Sequence, residues 1–409
     1  MLMSRCSPAK RSFALIAVVL LLAAGLSGCA RRGGDPGGNT GAVPEKYQKL
    51  YDDLKASMDG YNASLDLRSE RYAPPAFGAE LLPANGNRGE GLLKPENRKG
   101  TIAYLDGLRD MGVQGVTIAM PYPMYMPGSP RHDEYAAYYR YVFDEIRKRG
   151  MIAEVETGVI FSGTSFSPVH VDFGGMTYGQ YVADKKLMVQ AIIDDLHPDY
   201  LDLGAEPDTE YKLTGWAELN SPAKYAGYVS SVLDGLDRGG TKVGAGIGSW
   251  GDTAYVDEYV RTGLDFIAIH VYPVEPRFLD RIDEVARIAR AHNKSIVMDE
   301  CWLYKTRDYA GGFASNDEAF KRDSYAFWAP LDQEFLALMA RSAQANGVEY
   351  VSPFWANFFF AYADYEPAMD KMSYGEVVEK SNRAAAGNIV AGKLSPTGEY
   401  YRRLIAESR

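Results

Sequence analysis

Two short apolar segments of the chain end in acidic residues. The segment Tyr200–Gly204 is followed by Glu206, and the segment Ser295–Met298 is followed by Asp299 and Glu300. Two facing carboxyl groups can cleave a glycosidic bond when one donates a proton to the leaving oxygen and the other attacks the anomeric carbon. We predict that Glu206 and Glu300 form such a pair. Since side chains alternate along a strand, we expect only one of Asp299 and Glu300 to face inward, and we favour Glu300.

A regular alternation of strands and helices must position these residues. Eight β-branched runs from residue 72 onward predict strands at Phe77–Leu82, Gly115–Met120, Ile152–Thr157, Tyr200–Gly204, Lys242–Ile247, Phe266–His270, Ser295–Met298 and Tyr350–Phe354. Amphipathic patterns between them predict helices at Thr101–Met111, Asp133–Arg149, Tyr181–Leu196, Ala223–Leu236, Leu279–His292 and Phe335–Asn346. Eight such units indicate an α/β fold of the (β/α)8 TIM-barrel type, although a doubly wound sheet shares the alternation.

The positions of polar and aromatic residues favour the barrel. Nearly every predicted strand ends in one of them: Glu80, Tyr122, Glu156, Glu206, Trp250, His270, Glu300 and Trp355. Active sites of TIM barrels are built from the carboxyl ends of the strands. Glu80 at the end of the first strand and Glu156 at the end of the third could each be a structural charge as readily as a substrate contact.

Three segments lie outside the repeat. The segment Pro44–Glu70 has helical spacing of its apolar residues and predicts a helix on the floor or flank of the barrel. Long aromatic-rich loops after strands seven and eight, at about Tyr304–Leu331 and Ala356–Leu394, are expected to wall a cleft. We therefore assign residues 44–409 to one barrel domain.

The motifs on strands four, six, seven and eight resemble those of clan A glycoside hydrolases. In that clan an acid/base glutamate before a proline ends strand four, which Glu206 matches, and a nucleophilic glutamate ends strand seven, which Glu300 matches. His270 and Tyr272 resemble the clan's His-x-Tyr segment, whose tyrosine contacts the nucleophile. Trp355 resembles the tryptophan beneath the sugar. The resemblance implies a retaining hydrolase that needs no cofactor. The substrate contacts predicted from strand ends and resemblance together are Glu80, Tyr122, Glu156, Trp250, His270, Tyr272, Trp302 and Trp355.

Two departures from the clan's pattern leave alternatives open. Ala205 replaces the asparagine that binds the sugar 2-hydroxyl, and the second strand lacks the arginine found near the nucleophile. A non-catalytic glycan-binding barrel is therefore an alternative. The run Asp199–Glu206 also resembles the catalytic strand of family 18 chitinases, but Gly204 stands where those enzymes need an aspartate.

Other classes of function find little support. The five histidines show no His-x-His or His-Glu-x-x-His spacing, so we expect no metal site. The glycines of Gly244–Gly248 lack the last glycine of a dinucleotide-binding motif, and glycine in a barrel strand more often permits close packing. The formal net charge of −10 argues against nucleic acid as a partner. We expect a monomer that takes a carbohydrate substrate.

The N-terminus has the pattern of an export signal. A basic start precedes an apolar run at Phe13–Leu22, and Leu26–Cys29 resembles the bacterial lipobox, in which Cys29 receives the lipid. This predicts a signal peptide over residues 1–28 and a glycine-rich tether over residues 29–43. The expected location is the bacterial cell envelope, with a lipid anchor in a membrane at Cys29. An ordinary signal peptide with a chance cysteine is the alternative.

Overall fold

The computed structural model describes residues 41–68, 71–306 and 317–409. Its eight parallel strands are β1 (Ala76–Phe77), β2 (Gly115–Ala119), β3 (Ile152–Glu156), β4 (Tyr200–Asp202), β5 (Lys242–Gly248), β6 (Phe266–Val271), β7 (Ser295–Cys301) and β8 (Tyr350–Pro353). Neighbours in the sheet are neighbours in sequence from β2 to β8, and β8 pairs with β1. A parallel bridge between Glu80 and Thr117 then joins the segment after β1 to β2. The predicted (β/α)8 barrel is confirmed, since a doubly wound sheet has no such closure.

Helices cover the outside of the barrel. They are α1 (Glu45–Asp66), α2 (Pro95–Asp110), α3 (His132–Lys148), α4 (Tyr178–Leu196), α5 (Pro207–Thr214), α6 (Pro222–Leu233), α7 (Ala254–Tyr259), α8 (Pro276–Ala291), α9 (Asp317–Asp323), α10 (Ala329–Asn346), α11 (Tyr374–Val390) and α12 (Pro396–Glu407). All six predicted barrel helices overlap one of these. The predicted N-terminal helix is α1, and it lies on the flank, because the Tyr61 hydroxyl contacts Asp283 of α8 at 2.8 Å and Ser342 of α10 at 3.0 Å.

Glycines on β5 make room for the side chains inside the barrel. A Cβ on Gly244 would lie 2.2 Å from the ring of Phe266, and a Cβ on Gly246 would lie 1.9 Å from the carbonyl oxygen of Ala268. Phe266 and Ala268 belong to a small buried cluster whose other members include Val297 of β7 and Tyr350 of β8. The expected packing role of these glycines is confirmed.

Strand β7 contains one residue more than its neighbours at the end that carries the acids. Ala268 pairs with Val297 and His270 pairs with Glu300, so three steps along β7 match two steps along β6. The same irregularity recurs opposite β8. Such a bulge breaks the alternation of side chains. Our expectation that only one of Asp299 and Glu300 faces inward is therefore wrong: both lie close to His270.

The long connections after β7 and β8 contain more structure than the sequence predicted. The connection after β7 includes α9, and its residues 307–316 lie outside the described part. The connection after β8 includes α11, whose first turn is closed by reciprocal hydrogen bonds between Ser373 and Glu376. Within the described ranges, no helix has both the length and the apolarity needed to span a bilayer. The predicted signal peptide, Cys29 and most of the tether lie outside those ranges.

Candidate active site

A cavity of about 250 Å³ opens at the carboxyl ends of the strands. Six residues predicted from the sequence line it: Glu156, Glu206, His270, Tyr272, Glu300 and Trp355. These side chains come from five strand ends, which is the arrangement expected of a barrel enzyme site.

Glu206 stands immediately before α5. Pro207 begins that helix, and a proline suits its first position because the missing N–H would have had no helical partner. The carboxylate of Glu206 accepts a hydrogen bond from Thr209 Oγ1 at 2.7 Å through Oε2, while Oε1 lies 2.9 Å from Nδ1 of His270. One carboxylate is thus fixed from both sides.

Glu300 shares the same histidine nitrogen. Its Oε2 lies 3.3 Å from His270 Nδ1 and accepts a hydrogen bond of 2.5 Å from the Tyr272 hydroxyl. The two oxygens of Glu206 and Glu300 that contact Nδ1 can be no farther apart than the sum of 2.9 Å and 3.3 Å. Both side chains are only 12% exposed.

His270 connects four acids. Besides Glu206 and Glu300 at Nδ1, its Nε2 lies 3.5 Å from Asp299 and 3.7 Å from Glu156. Burial opposes the charged imidazolium, but the negative charges of Glu300, Asp299 and Glu206 outweigh it and raise the pKa of His270 well above its usual value. This shift favours the imidazolium form, whose Nδ1 can donate to Glu206.

More acids lie beneath this pair than the sequence indicated. We call Glu154, Glu156, Asp202 and Asp299 the carboxyl cluster; all four are buried. Burial, reinforced by the neighbouring acids, raises the pKa of Glu154, Glu156 and Asp202 well above the ordinary range, and it raises that of Asp299 to about 6. These shifts favour the protonated forms of the cluster, because burying several like charges together is costly.

Glu300 is also affected by burial. Burial raises its pKa, the positive charge of His270 lowers it, and the charge of Glu206 raises it further. The net shift is upward. A carboxylate in this position keeps its charge mainly through its contacts with His270 and Tyr272.

Four of the predicted substrate contacts do not line the cavity. The Tyr122 hydroxyl donates to Asp184 at 2.9 Å instead, and Trp302 is fully buried against Phe358 and Phe359. Trp250 lines a separate small cavity beside Asp208. Glu80 is fully buried and accepts a hydrogen bond from Asn85 at 3.1 Å. The sequence placed all four near strand ends, but the side chains point elsewhere or lie one layer deeper.

Several lining residues were not predicted from the sequence. Thr209 orients Glu206, and Asn357 Oδ1 is a buried polar atom without a hydrogen-bond partner among the described residues, as is Nε1 of the predicted Trp355. Arg88, from the segment after β1, also reaches the cavity. Thr209 lies three residues after Glu206, a spacing that could have indicated it; Arg88 and Asn357 carry no such signal.

Two triads of side chains are spaced closely enough to share a metal ion. They are Glu156, His270 and Glu300, and Glu154, Glu156 and Asp299, with donor atoms within 4.8 Å of one another. The protonated ring of His270 has no lone pair to offer a metal. The second triad consists of carboxyl groups whose raised pKa values favour protons over a charged set. The charge contacts of His270 with Glu156 at 3.7 Å and Glu300 at 3.3 Å account for the first triad.

Comparison with known proteins adds to the description of the fold. No family model and no curated protein matches the chain. Among solved structures, GH5_18 from Bifidobacterium longum subsp. longum ATCC 55813 is 14% identical, with a TM-score of 0.51 over 82% of this chain and 79% of that one. This likeness shows a shared fold. The exo-beta-1,4-mannosidase Op5Man5 from Opitutaceae bacterium strain TAV5 is 16% identical, with a TM-score of 0.48 over 83% of this chain but only 62% of the mannosidase.

Proposed function

We propose that this chain is a retaining glycoside hydrolase, with Glu206 as acid/base and Glu300 as nucleophile. The observation that carries the proposal is the single nitrogen, His270 Nδ1, within 2.9 Å of one carboxylate and 3.3 Å of the other. An inverting pair needs about 6.5–9.5 Å to admit a water molecule, whereas a retaining pair stands about 5–5.5 Å apart. The two contacts to Nδ1 favour the shorter spacing.

The proposed reaction has two steps. In the first, Glu206 gives its proton to the glycosidic oxygen while a Glu300 oxygen attacks the anomeric carbon, and the leaving group departs as an alcohol. In the second, Glu206 takes a proton from water, the resulting hydroxide attacks the anomeric carbon, and Glu300 leaves as a carboxylate. Glu206 thereby regains its proton, so the cycle closes.

His270 and Tyr272 explain how Glu300 remains ionised in a buried site. Positive charge and hydrogen bonds to a carboxylate both favour its charged form. The clan's usual arginine near the nucleophile is absent from β2, and the imidazolium of His270 supplies a positive charge at 3.3 Å in its place. In this proposal His270 compensates for the missing arginine.

The second departure concerns the sugar hydroxyls. Ala205 offers no polar side chain, but Trp355 Nε1 is a buried donor and Asn357 Oδ1 a buried acceptor, and both residues line the cavity. Unpaired buried polar atoms cost free energy, which a bound hydroxyl would recover. We assign these two atoms to sugar recognition, with the sugar ring stacked on an aromatic side chain beside them.

Two variants test the assignment. We expect Glu300→Gln to reduce hydrolysis of every glycoside close to background. Glu206→Gln should still form the glycosyl-enzyme from an aryl glycoside, whose leaving group needs little protonation, and then stall for lack of a base. Azide needs no deprotonation, so it should restore turnover of Glu206→Gln with retained configuration at the anomeric carbon. An inverted glycosyl azide, or greater damage from Asp299→Asn than from Glu300→Gln, would contradict the roles.

A non-catalytic glycan-binding barrel is the second candidate, and Ala205 is the observation that favours it. Glycan binding does not require a protonated carboxyl group, so it is compatible with a positive His270 that contacts both Glu206 and Glu300. A panel of aryl glycosides and polysaccharides separates the two. Release of phenol or reducing ends, lost in Glu300→Gln, supports the hydrolase, whereas glycan binding that survives Glu300→Gln without hydrolysis supports the binder.

We propose that the enzyme acts in the bacterial cell envelope, held to a membrane by lipid on Cys29. The support is the sequence Leu26–Cys29 after a basic and apolar leader, followed by a glycine-rich tether long enough to separate the barrel from the bilayer. Replacing Cys29 with alanine should abolish labelling by a fatty-acid analogue and release the protein from the membrane fraction. Labelling that persists in Cys29→Ala would refute the anchor.

A further inference from the structure

The outer part of the cavity differs in chemistry from its floor. The floor holds Glu206, Glu300 and His270, whereas the outer lining includes aliphatic and aromatic side chains that have no polar atom. We call Phe161, Phe166, Leu213, Phe358, Val378 and Ile389 the apolar wall. The floor and the wall belong to one continuous cavity.

Helix α11 supplies one side of this wall. Val378, Asn382, Ala385 and Ile389 all line the cavity, and their spacing of four, three and four residues places them on one stripe of the helix. Three of these four side chains are apolar. The opposite face of α11 carries exposed charges such as Lys380 and Arg383. The helix therefore presents an apolar face to the space above the carboxylates.

A chain of aromatic rings connects the wall to the nucleophile. The Tyr272 ring, whose hydroxyl contacts Glu300, stacks on Tyr304 at 4.5 Å, Tyr304 meets Phe320 at 5.2 Å, and Phe320 meets Phe166 at 5.0 Å. A ligand that reaches from Glu300 to the wall would thus stay against apolar rings along its length.

We propose that the substrate is a glycoside with an apolar aglycone, such as an alkyl chain, whose sugar lies on the floor and whose aglycone lies against the apolar wall. This inference rests on the proposed hydrolase function, since an aglycone is the part of the substrate that hydrolysis releases. Aliphatic side chains give sugar hydroxyls no hydrogen-bond partner, and an unpaired buried hydroxyl is costly. Each methylene buried there instead gains affinity by about fourfold.

The size of the cavity agrees with this substrate class. Its volume of about 250 Å³ is below the range of about 300–1,000 Å³ usual for small-molecule sites. One sugar with part of an alkyl chain is enough to fill a cavity of this size, and the rest of a longer ligand would lie outside it.

Ligand binding tests the wall without any catalysis. We would follow the fluorescence of N-phenyl-1-naphthylamine bound to the whole mature chain and displace it with 1-butanol, 1-hexanol and 1-octanol. The expected displacement constants tighten by about fourfold per methylene until the cavity is full. Val378→Thr, which keeps the side-chain shape and adds a hydroxyl, should weaken 1-octanol by about fourfold or more. Lys380→Thr, on the exposed face of the same helix, is the matched control and should change nothing.

The test includes a check that both variants fold, and two outcomes would overturn the inference. The melting temperatures of both variants should stay close to that of the parent, and Ile389→Thr serves as a second wall variant if Val378→Thr unfolds. Equal displacement by all three alcohols would overturn the inference, as would equal weakening by Val378→Thr and Lys380→Thr.

Hydrolysis then separates this inference from the proposed function. On whichever glycone the aryl panel identifies, the octyl glycoside should be cleaved with a kcat/KM at least about tenfold above that of the methyl glycoside, and Val378→Thr should reduce that preference. Cleavage with no preference for the octyl aglycone overturns the apolar-aglycone inference but leaves the hydrolase intact. Chain-length-dependent alcohol binding without cleavage of any glycoside overturns the hydrolase but leaves an apolar ligand site at the wall.

Discussion

Replacing His270 with asparagine removes the positive charge between the two glutamates while keeping a possible donor at the position of Nδ1. That charge lies 3.3 Å from Glu300, and at an effective dielectric constant of about 20 it stabilises the carboxylate by at most about 5 kcal/mol. Opposite charges at such distances shift a carboxyl pKa by about 1–3 units in practice. Since burial already raises the pKa of Glu300, losing His270⁺ raises it further.

The pH dependence of kcat/KM is the measurement. Glu300 must be ionised to attack, so activity falls as the pH drops through its pKa, and this acid limb reports the free enzyme. We expect the acid limb of His270→Asn to move up by about 1–3 pH units, which is about a 10- to 1,000-fold loss at a pH on the parent's acid limb. His292→Asn, which changes an exposed histidine, is the control. An acid limb that does not move in a folded His270→Asn protein would refute the view that His270 is the charged partner of Glu300.

Three further predictions concern stability. Burial and then neighbouring acids raise the pKa of Glu154, so the folded chain holds a proton that the unfolded chain releases as the pH rises. Glu154→Gln removes this cost and should raise Tm at pH 8 by about 2 °C or more, with a smaller gain at pH 4, as measured by calorimetry. Burial lowers the pKa of Lys185 to about 8 and raises that of Glu210 to about 7, so Lys185 is a lone buried cation at pH 5.5, where Glu210 is protonated. Lys185→Met should therefore raise the free energy of urea unfolding at pH 5.5 and raise it less, or lower it, at pH 8, where Glu210 loses a favourable charge; an equal change at both values would contradict the coupling. A Cβ on Gly204 would lie 2.2 Å from the Tyr225 hydroxyl oxygen, and its φ of +152° is unfavourable for other residues, so Gly204→Ala should lose more than about 1 kcal/mol, part of which Tyr225→Phe should restore.

The barrel could be predicted from the sequence because its signals are local and repeated. Each observed strand overlaps its predicted range, since a buried parallel strand is a short apolar run that can be recognised by itself. The approach of Glu206 to Glu300 follows from strand order in a closed barrel, in which β4 and β7 face each other across the mouth. The contact between Tyr272 and Glu300 follows the resemblance to clan A, and the structure places these two side chains 2.5 Å apart.

The rest of the site depends on long-range packing that spacing does not encode. His270 was expected as a substrate contact, but its meeting with four acids requires side chains from β3, β4, β6 and β7 to be brought together. Trp302 sits at a strand end like the lining residues, yet it is buried against Phe358 and Phe359. The aromatic-rich segment Ala356–Leu394 predicts a loop where the structure has helix α11, and only the packing of that helix shows that it lines the cavity.

The extra residue of β7 determines which of the adjacent acids face into the barrel as well as how the strand packs. Without it, one of the two adjacent acids would turn outward among the apolar helices, as regular pairing demands. Deleting Asp299 would restore regular pairing and still leave Glu300 opposite His270. A single in-frame codon deletion is therefore a route by which a lineage could reduce the acid content of this barrel while keeping Glu300 opposite His270.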